Sequence, residues 1–77
     1  MGGFMARLVL DRETAQRVGK AVRRVRCLGL SKTWMAGEIS RSRQNVTGVL
    51  NKTVSSPGTL SLIEELLDEV EAGRVGV

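Results

Sequence analysis

Apolar residues recur at three- and four-residue steps along most of the chain, and polar or glycine punctuation divides them into four segments. In the first segment Ala15, Val18, Val22 and Val25 form one stripe, while Arg17, Lys20, Arg23 and Arg24 occupy other faces, the pattern of an amphipathic helix. Asp11 stands at the N-cap position, and Glu13 lies in the first turn, where a carboxylate suits the helix dipole. Gly29 ends the stripe as a C-terminal glycine does. A helix over Arg12–Leu28 is predicted. Before it, Leu8-Val9-Leu10 is a short apolar run, and Leu10 and Ala15 hold the two positions of a hydrophobic staple.

Ser31 then caps a short predicted helix over Lys32–Ile39, with Met35, Ala36 and Ile39 apolar. Ser40-Arg41-Ser42 is too polar to continue it and too short to be a true loop. Ser42 caps a third helix over Arg43–Asn51, whose apolar residues are Val46, Val49 and Leu50. Two short capped helices joined by a three-residue turn define a helix-turn-helix. Lys52 to Gly58 is a loop holding the only proline, and a last helix begins at Pro57 or Thr59, with Ser56 or the Thr59 hydroxyl as alternative caps. Leu60, Ile63, Leu66, Leu67 and Val70 form its apolar face and Gly73 stops it. The expectation is an all-α fold: a compact bundle of four or five short helices, four of them assigned here, in one domain over residues 8–73, after a flexible stub at 1–7 and before a frayed end at 74–77.

Composition narrows the chemistry. A length of 77 residues suits one small domain, and 42% hydrophobic with 26% charged residues is a soluble globular balance. There is no histidine and one cysteine, which excludes imidazole catalysis, a Cys/His zinc site and an intrachain disulfide. Only three acidic residues precede Glu64, so a carboxylate metal site is not expected. No catalytic residue, metal or cofactor is assigned, and an enzyme is the least favoured class. No apolar run reaches the ~20 residues that span a bilayer. The N-terminus lacks both a myristoylation signal, with Ala6 where Ser or Thr is required, and a signal-peptide core. Cys27 fits a reducing cytoplasm and is expected to be a buried small hydrophobe.

The charge is split along the chain. Residues 1–57 carry eleven basic against three acidic side chains, a net +8, and residues 58–77 one basic against five acidic, a net −4. A basic body with an acidic last helix suits a polyanion on one face, although a solvated basic surface is common in small domains.

The run LSKTWMAGEISRSRQNVTGVLNK, residues 30–52, resembles the lambda-repressor-like (Cro/Xre-type) helix-turn-helix family. Ser31 sits at the family's first cap, Met35-Ala36 at its Leu-Ala pair and Ile39 at its closing apolar position. Ser42 takes the second cap, Val46-Thr47 the Ile-Ser pair, and Val49-Leu50-Asn51 the helix end. The likeness covers about residues 15–70, including the Ser-Pro step before the last helix. Ser40 replaces the family's turn glycine, and Lys52 stands where glycine commonly follows the asparagine. The arginine often found near the end of the first helix would fall at Val25, between Arg24 and Arg26. Family members usually have five helices where four are found here. The resemblance implies a small, phage Cro-like regulator of transcription, most simply a repressor, acting in a prokaryotic or phage-infected cytoplasm. It implies double-stranded operator DNA as partner, a homodimer over two half-sites, and no small-molecule effector.

In such a motif the N-terminal residues of the second helix face base edges in the major groove. Arg43, Gln44 and Thr47 fall on the outward face, and an arginine beside a glutamine can pair with guanine and adenine respectively. Gly48 shares that face, either admitting a close backbone approach or simply weakening the helix. Phosphate contacts are assigned to Ser31 and Lys32 at the start of one helix, to Arg41, Ser42 and Asn45 for the near strand, and to Asn51 and Lys52 for the far end. Trp34 either packs over the first helix, the more frequent role for tryptophan, or lies along a sugar–phosphate edge. The Arg23-Arg24-Val25-Arg26 run touches phosphate, or is a solvated face, or forms salt bridges to the acidic last helix, with either of the last two at least as well supported as the first. Leu62, Leu66 and Val70 are candidate dimer contacts, with Leu8–Leu10 as an alternative surface. A competing function is a protein-interaction module on the same fold, binding host RNA polymerase or neutralising a toxin.

Overall fold

Three of the four helices begin where a side chain three residues back satisfies one of their first N–H donors. In the computed structural model, which describes residues 11–75, Asp11 accepts from the Thr14 N–H at 2.7 Å and opens α1 (Arg12–Leu28). Ser31 accepts from the Trp34 N–H at 3.0 Å and opens α2 (Lys32–Ile39). Ser42 does the same for the Asn45 N–H, also at 3.0 Å, opening α3 (Arg43–Leu50). Pro57 starts α4 (Pro57–Glu71). Its preset φ suits the first helical position. Ser56 holds the cap position without capping through its side chain; its hydroxyl donates instead to the Thr59 hydroxyl at 2.9 Å. Thr59 is therefore inside α4 rather than at its start. Among the described residues there is no strand.

All four helices end in the same way. A residue in the left-handed region turns the chain so that two N–H groups reach back to the last carbonyls, the Schellman arrangement. Gly29 (φ 70°) ends α1, with its own N–H to the Arg26 carbonyl and that of Leu30 to Val25. Gly73 (φ 77°) follows α4, with its N–H to Val70 and that of Arg74 to Glu69. At the other two ends the residue is not glycine. Ser40 (φ 57°) lets Arg41 reach the Ala36 carbonyl, and Lys52 (φ 63°) lets Thr53 reach that of Gly48. A side chain in this region costs about 1–2 kcal/mol, so two of the four stops are made against a local preference. Asn51 caps α3 rather than extending it, one residue short of the predicted end.

The apolar stripes converge on α4, which packs against the other three helices. α2 and α3 pack on each other, while α1 meets α3 and α4 but not α2. Val18, Met35, Val46, Leu60, Ile63 and Leu67 are almost fully buried at the centre. Cys27 is exposed, contrary to expectation, because it lies across α1 from the buried Val18, Ala21 and Val25. At the C-terminal end the Arg74 N–H bonds to the Glu69 carbonyl and Val75 packs on the core. The stub at 1–7, the Leu8–Leu10 surface, the Leu10 half of the staple and residues 76–77 lie outside the described residues.

Candidate nucleic-acid interface

Three sides of α3 are covered, which leaves one to solvent. Val46, Val49 and Leu50 are buried in the core. On a second side the Thr59 hydroxyl of α4 donates to the Asn45 side-chain carbonyl at 2.6 Å, continuing the chain from Ser56. Asn45, assigned above to phosphate, is half-buried, and its side-chain carbonyl fastens α3 to the start of α4, while its amide NH2, the group that donates to a phosphate, is not engaged by that bond. On a third side the Gly48 carbonyl accepts from the Thr53 N–H at 2.8 Å, the Val54 N–H at 3.2 Å and the Thr53 hydroxyl at 3.2 Å. A Cβ on Gly48 would collide with a Val54 methyl and stand 3.0 Å from the Val54 Cβ. The close backbone approach that Gly48 permits is thus by the protein's own loop. Gly48 is buried, not outward-facing.

The remaining face presents Arg43, Gln44 and Asn51, all exposed, with Thr47 half-buried among them. Arg43, Gln44 and Thr47 line a shallow depression together with Gly48, Thr53 and Val54. On its other flank Arg43 shares a groove of about 430 Å³ with Arg26, Ser31, Lys32, Thr33 and Asn51, among others. Three cations and no carboxylate line that groove. The Lys32 and Thr33 N–H groups in the first turn of α2 have no intrahelical partner. Ser31 and Ser42 accept in their caps, and each hydroxyl keeps its hydrogen to donate. Arg41 and Lys52 are exposed on the turns that bracket α3. Trp34 is half-buried against the core, the packing role.

Electrostatics removes two arginines from the outer surface. Arg17 holds Glu64 at 2.5 Å, and Arg24 holds Asp68 at 2.7 Å and Glu71 at 2.9 Å. These pairs tie α1 to α4. The hydrogen bond to Glu64 raises the Arg17 pKa above its ordinary value, and those to Glu71 and Asp68 do the same for Arg24. The acidic last helix thus neutralises one side of α1, and no ion pair engages Arg26, Lys32, Arg41, Arg43 or Lys52 among the described residues. Leu66, offered as a dimer contact, is only 5% exposed and belongs to the monomer core; Leu62 and Val70 on the same stripe keep partial exposure.

No group of three His, Cys, Asp or Glu side chains among the described residues is placed to hold a metal ion. No described helix is long and apolar enough to cross a membrane. The arrangement defines an all-helical domain with one cationic, hydrogen-bonding helix face beside a groove lined by three cations. No family model, curated protein or solved structure matches the chain.

Proposed function

We propose that this chain is a sequence-specific double-stranded DNA-binding regulator of transcription, working as a repressor. In this reading α2 and α3 are a helix-turn-helix of lambda-repressor-like kind, and α3 enters the major groove. The observation that carries the reading is the open face of α3: Arg43 and Gln44 stand exposed and adjacent at the N-terminus of a helix whose other sides are all covered. Arginine pairs bidentately with guanine O6 and N7, and glutamine with adenine N6 and N7. The groove between Arg26, Lys32 and Arg43 provides cations and free N–H groups for a backbone phosphate, and phosphate contacts set register while base contacts set sequence. Asn51, Lys52, Arg41 and the two cap serines complete the backbone contacts. Asn45 donates to the near strand through its amide NH2 while its carbonyl stays on Thr59.

A homodimer on two half-sites about one DNA turn apart completes the proposal. Leu62 and Val70 are the apolar side chains of α4 that a partner copy can still cover. Fluorescence anisotropy across a salt series tests the reading. Affinity for a preferred duplex should fall steeply as salt rises, and Gln44→Ala should erase the preference over random DNA. An unchanged ratio of preferred to random affinity in both Gln44→Ala and Arg43→Ala would overturn it. Stoichiometric capture of a host protein without DNA would favour the interaction module instead.

A further inference from the structure

Val54 is the one large apolar side chain that the described residues leave exposed, at 37%. It belongs neither to the core nor to the residues packed on it. Its loop is nonetheless fixed. The Thr53 N–H, the Thr53 hydroxyl and the Val54 N–H all converge on the Gly48 carbonyl, and Lys52 adopts a left-handed conformation to bring them there. Gly48 lacks the Cβ that would push Val54 away. Valine has a single rotatable side-chain bond and is stiff about it. The result is a rigid isopropyl group at the edge of the depression that Arg43, Gln44 and Thr47 line.

We infer that Val54 reads a thymine, its isopropyl group meeting the C5-methyl in the major groove beside the base pairs that Arg43 and Gln44 take. The inference rests on the DNA reading and deepens it. Thymine is the only base that presents a methyl group on that edge, and apolar contact is how proteins recognise it. A wall of this kind beside two hydrogen-bonding side chains fits a short run of mixed pairs, one of them carrying its thymine towards the loop. The geometry also gives Gly48 a function: it sets the distance between the loop and the reading face.

Uracil pairs as thymine does and lacks only the C5-methyl, so the test needs no change in the protein. In a preferred duplex each thymine is replaced in turn by uracil, and dissociation constants are measured for wild type and for Val54→Ala. One thymine per half-site should weaken wild-type binding about fourfold on replacement, the worth of one buried methyl group. Val54→Ala should bind the thymine duplex several-fold more weakly and be indifferent to uracil at that position. Circular dichroism checks that Val54→Ala folds, and Val54→Thr, which keeps the shape, should retain most of the uracil sensitivity. Wild-type indifference to uracil at every position would overturn the inference, as would an equal uracil penalty in Val54→Ala. Either result with Arg43-dependent selectivity intact leaves the DNA reading standing. Absence of any preferred duplex would overturn both.

Discussion

Gly48→Ala should destabilise the protein although helix propensity alone says the opposite. Alanine is better than glycine inside a helix by about 0.8–1.0 kcal/mol, and Gly48 lies within α3 at a negative φ. Against that gain stands the new methyl group. It would overlap a Val54 methyl and sit 3.0 Å from the Val54 Cβ and 3.4 Å from the Thr53 hydroxyl. Overpacking of this kind costs about 1–3 kcal/mol. The loop cannot step aside cheaply, because it is held by three hydrogen bonds to the Gly48 carbonyl, each worth about 0.5–1.5 kcal/mol. The net expectation is a loss of about 1 kcal/mol, or about 4–8 °C in Tm for a domain of this size. The assay is a double-mutant cycle with Val54→Ala, followed by thermal and urea unfolding. Removing the valine methyls takes away the worst overlap, so the cost of Gly48→Ala should shrink by at least about 1 kcal/mol in that background. A higher Tm for Gly48→Ala in the wild-type background would mean that the loop is not seated against position 48 as the structure has it.

Three further outcomes follow from the same structure. Ser40→Gly and Lys52→Gly relieve left-handed strain worth about 1–2 kcal/mol each, less about 0.4–1 kcal/mol of added unfolded-chain entropy; each should stabilise by roughly 0.5–1 kcal/mol in urea unfolding, and a loss of stability would contradict the assignment of these helix ends. Arg43→Ala should weaken binding to a preferred duplex by about 1–3 kcal/mol and relax one base position, whereas Lys32→Ala should weaken all duplexes alike and lower the salt slope by about one. Equal effects on random and preferred DNA would remove Arg43 from base readout. The Asp11 carboxyl titrates below its ordinary value of 3.8, because Thr14 donates to it through its hydroxyl and its backbone N–H. Its contribution is therefore present above the unfolded pKa and is lost as pH falls through the lower folded value. Asp11→Asn should flatten the fall in stability across that acid range, and an unchanged slope would contradict the cap.

The helices were legible in the sequence wherever the signal was local. Asp11, Ser31 and Ser42 each cap three residues ahead, so α1 and α2 have the predicted ends and α3 differs by one residue. The outward Arg43 and Gln44 and the inward Val46, Val49 and Leu50 follow from helical spacing alone. What escaped is set by partners distant in the chain. Asn45 accepts from Thr59, a partner fourteen residues away on α4 that no local pattern shows. The bridges from Arg17 and Arg24 span 44 to 47 residues, leaving bridging and phosphate contact equally open for the arginine run. A stripe of leucines gives the direction of burial but not its width, so Leu66 was placed on a surface that the core already occupies. Val54 had a usable signal: a glycine on an otherwise side-chain-bearing helix face, followed six residues later by the lone large apolar residue of a polar loop. Only the return of the loop explains why the two belong together.

Selection of bound duplexes from a random pool at near-physiological salt decides whether the open face of α3 reads DNA sequence. A short palindromic consensus is expected, its half-sites about one helical turn apart, with guanine and adenine positions that disappear when the selection is repeated with Arg43→Ala and Gln44→Ala. Folded protein that enriches nothing above background would contradict it.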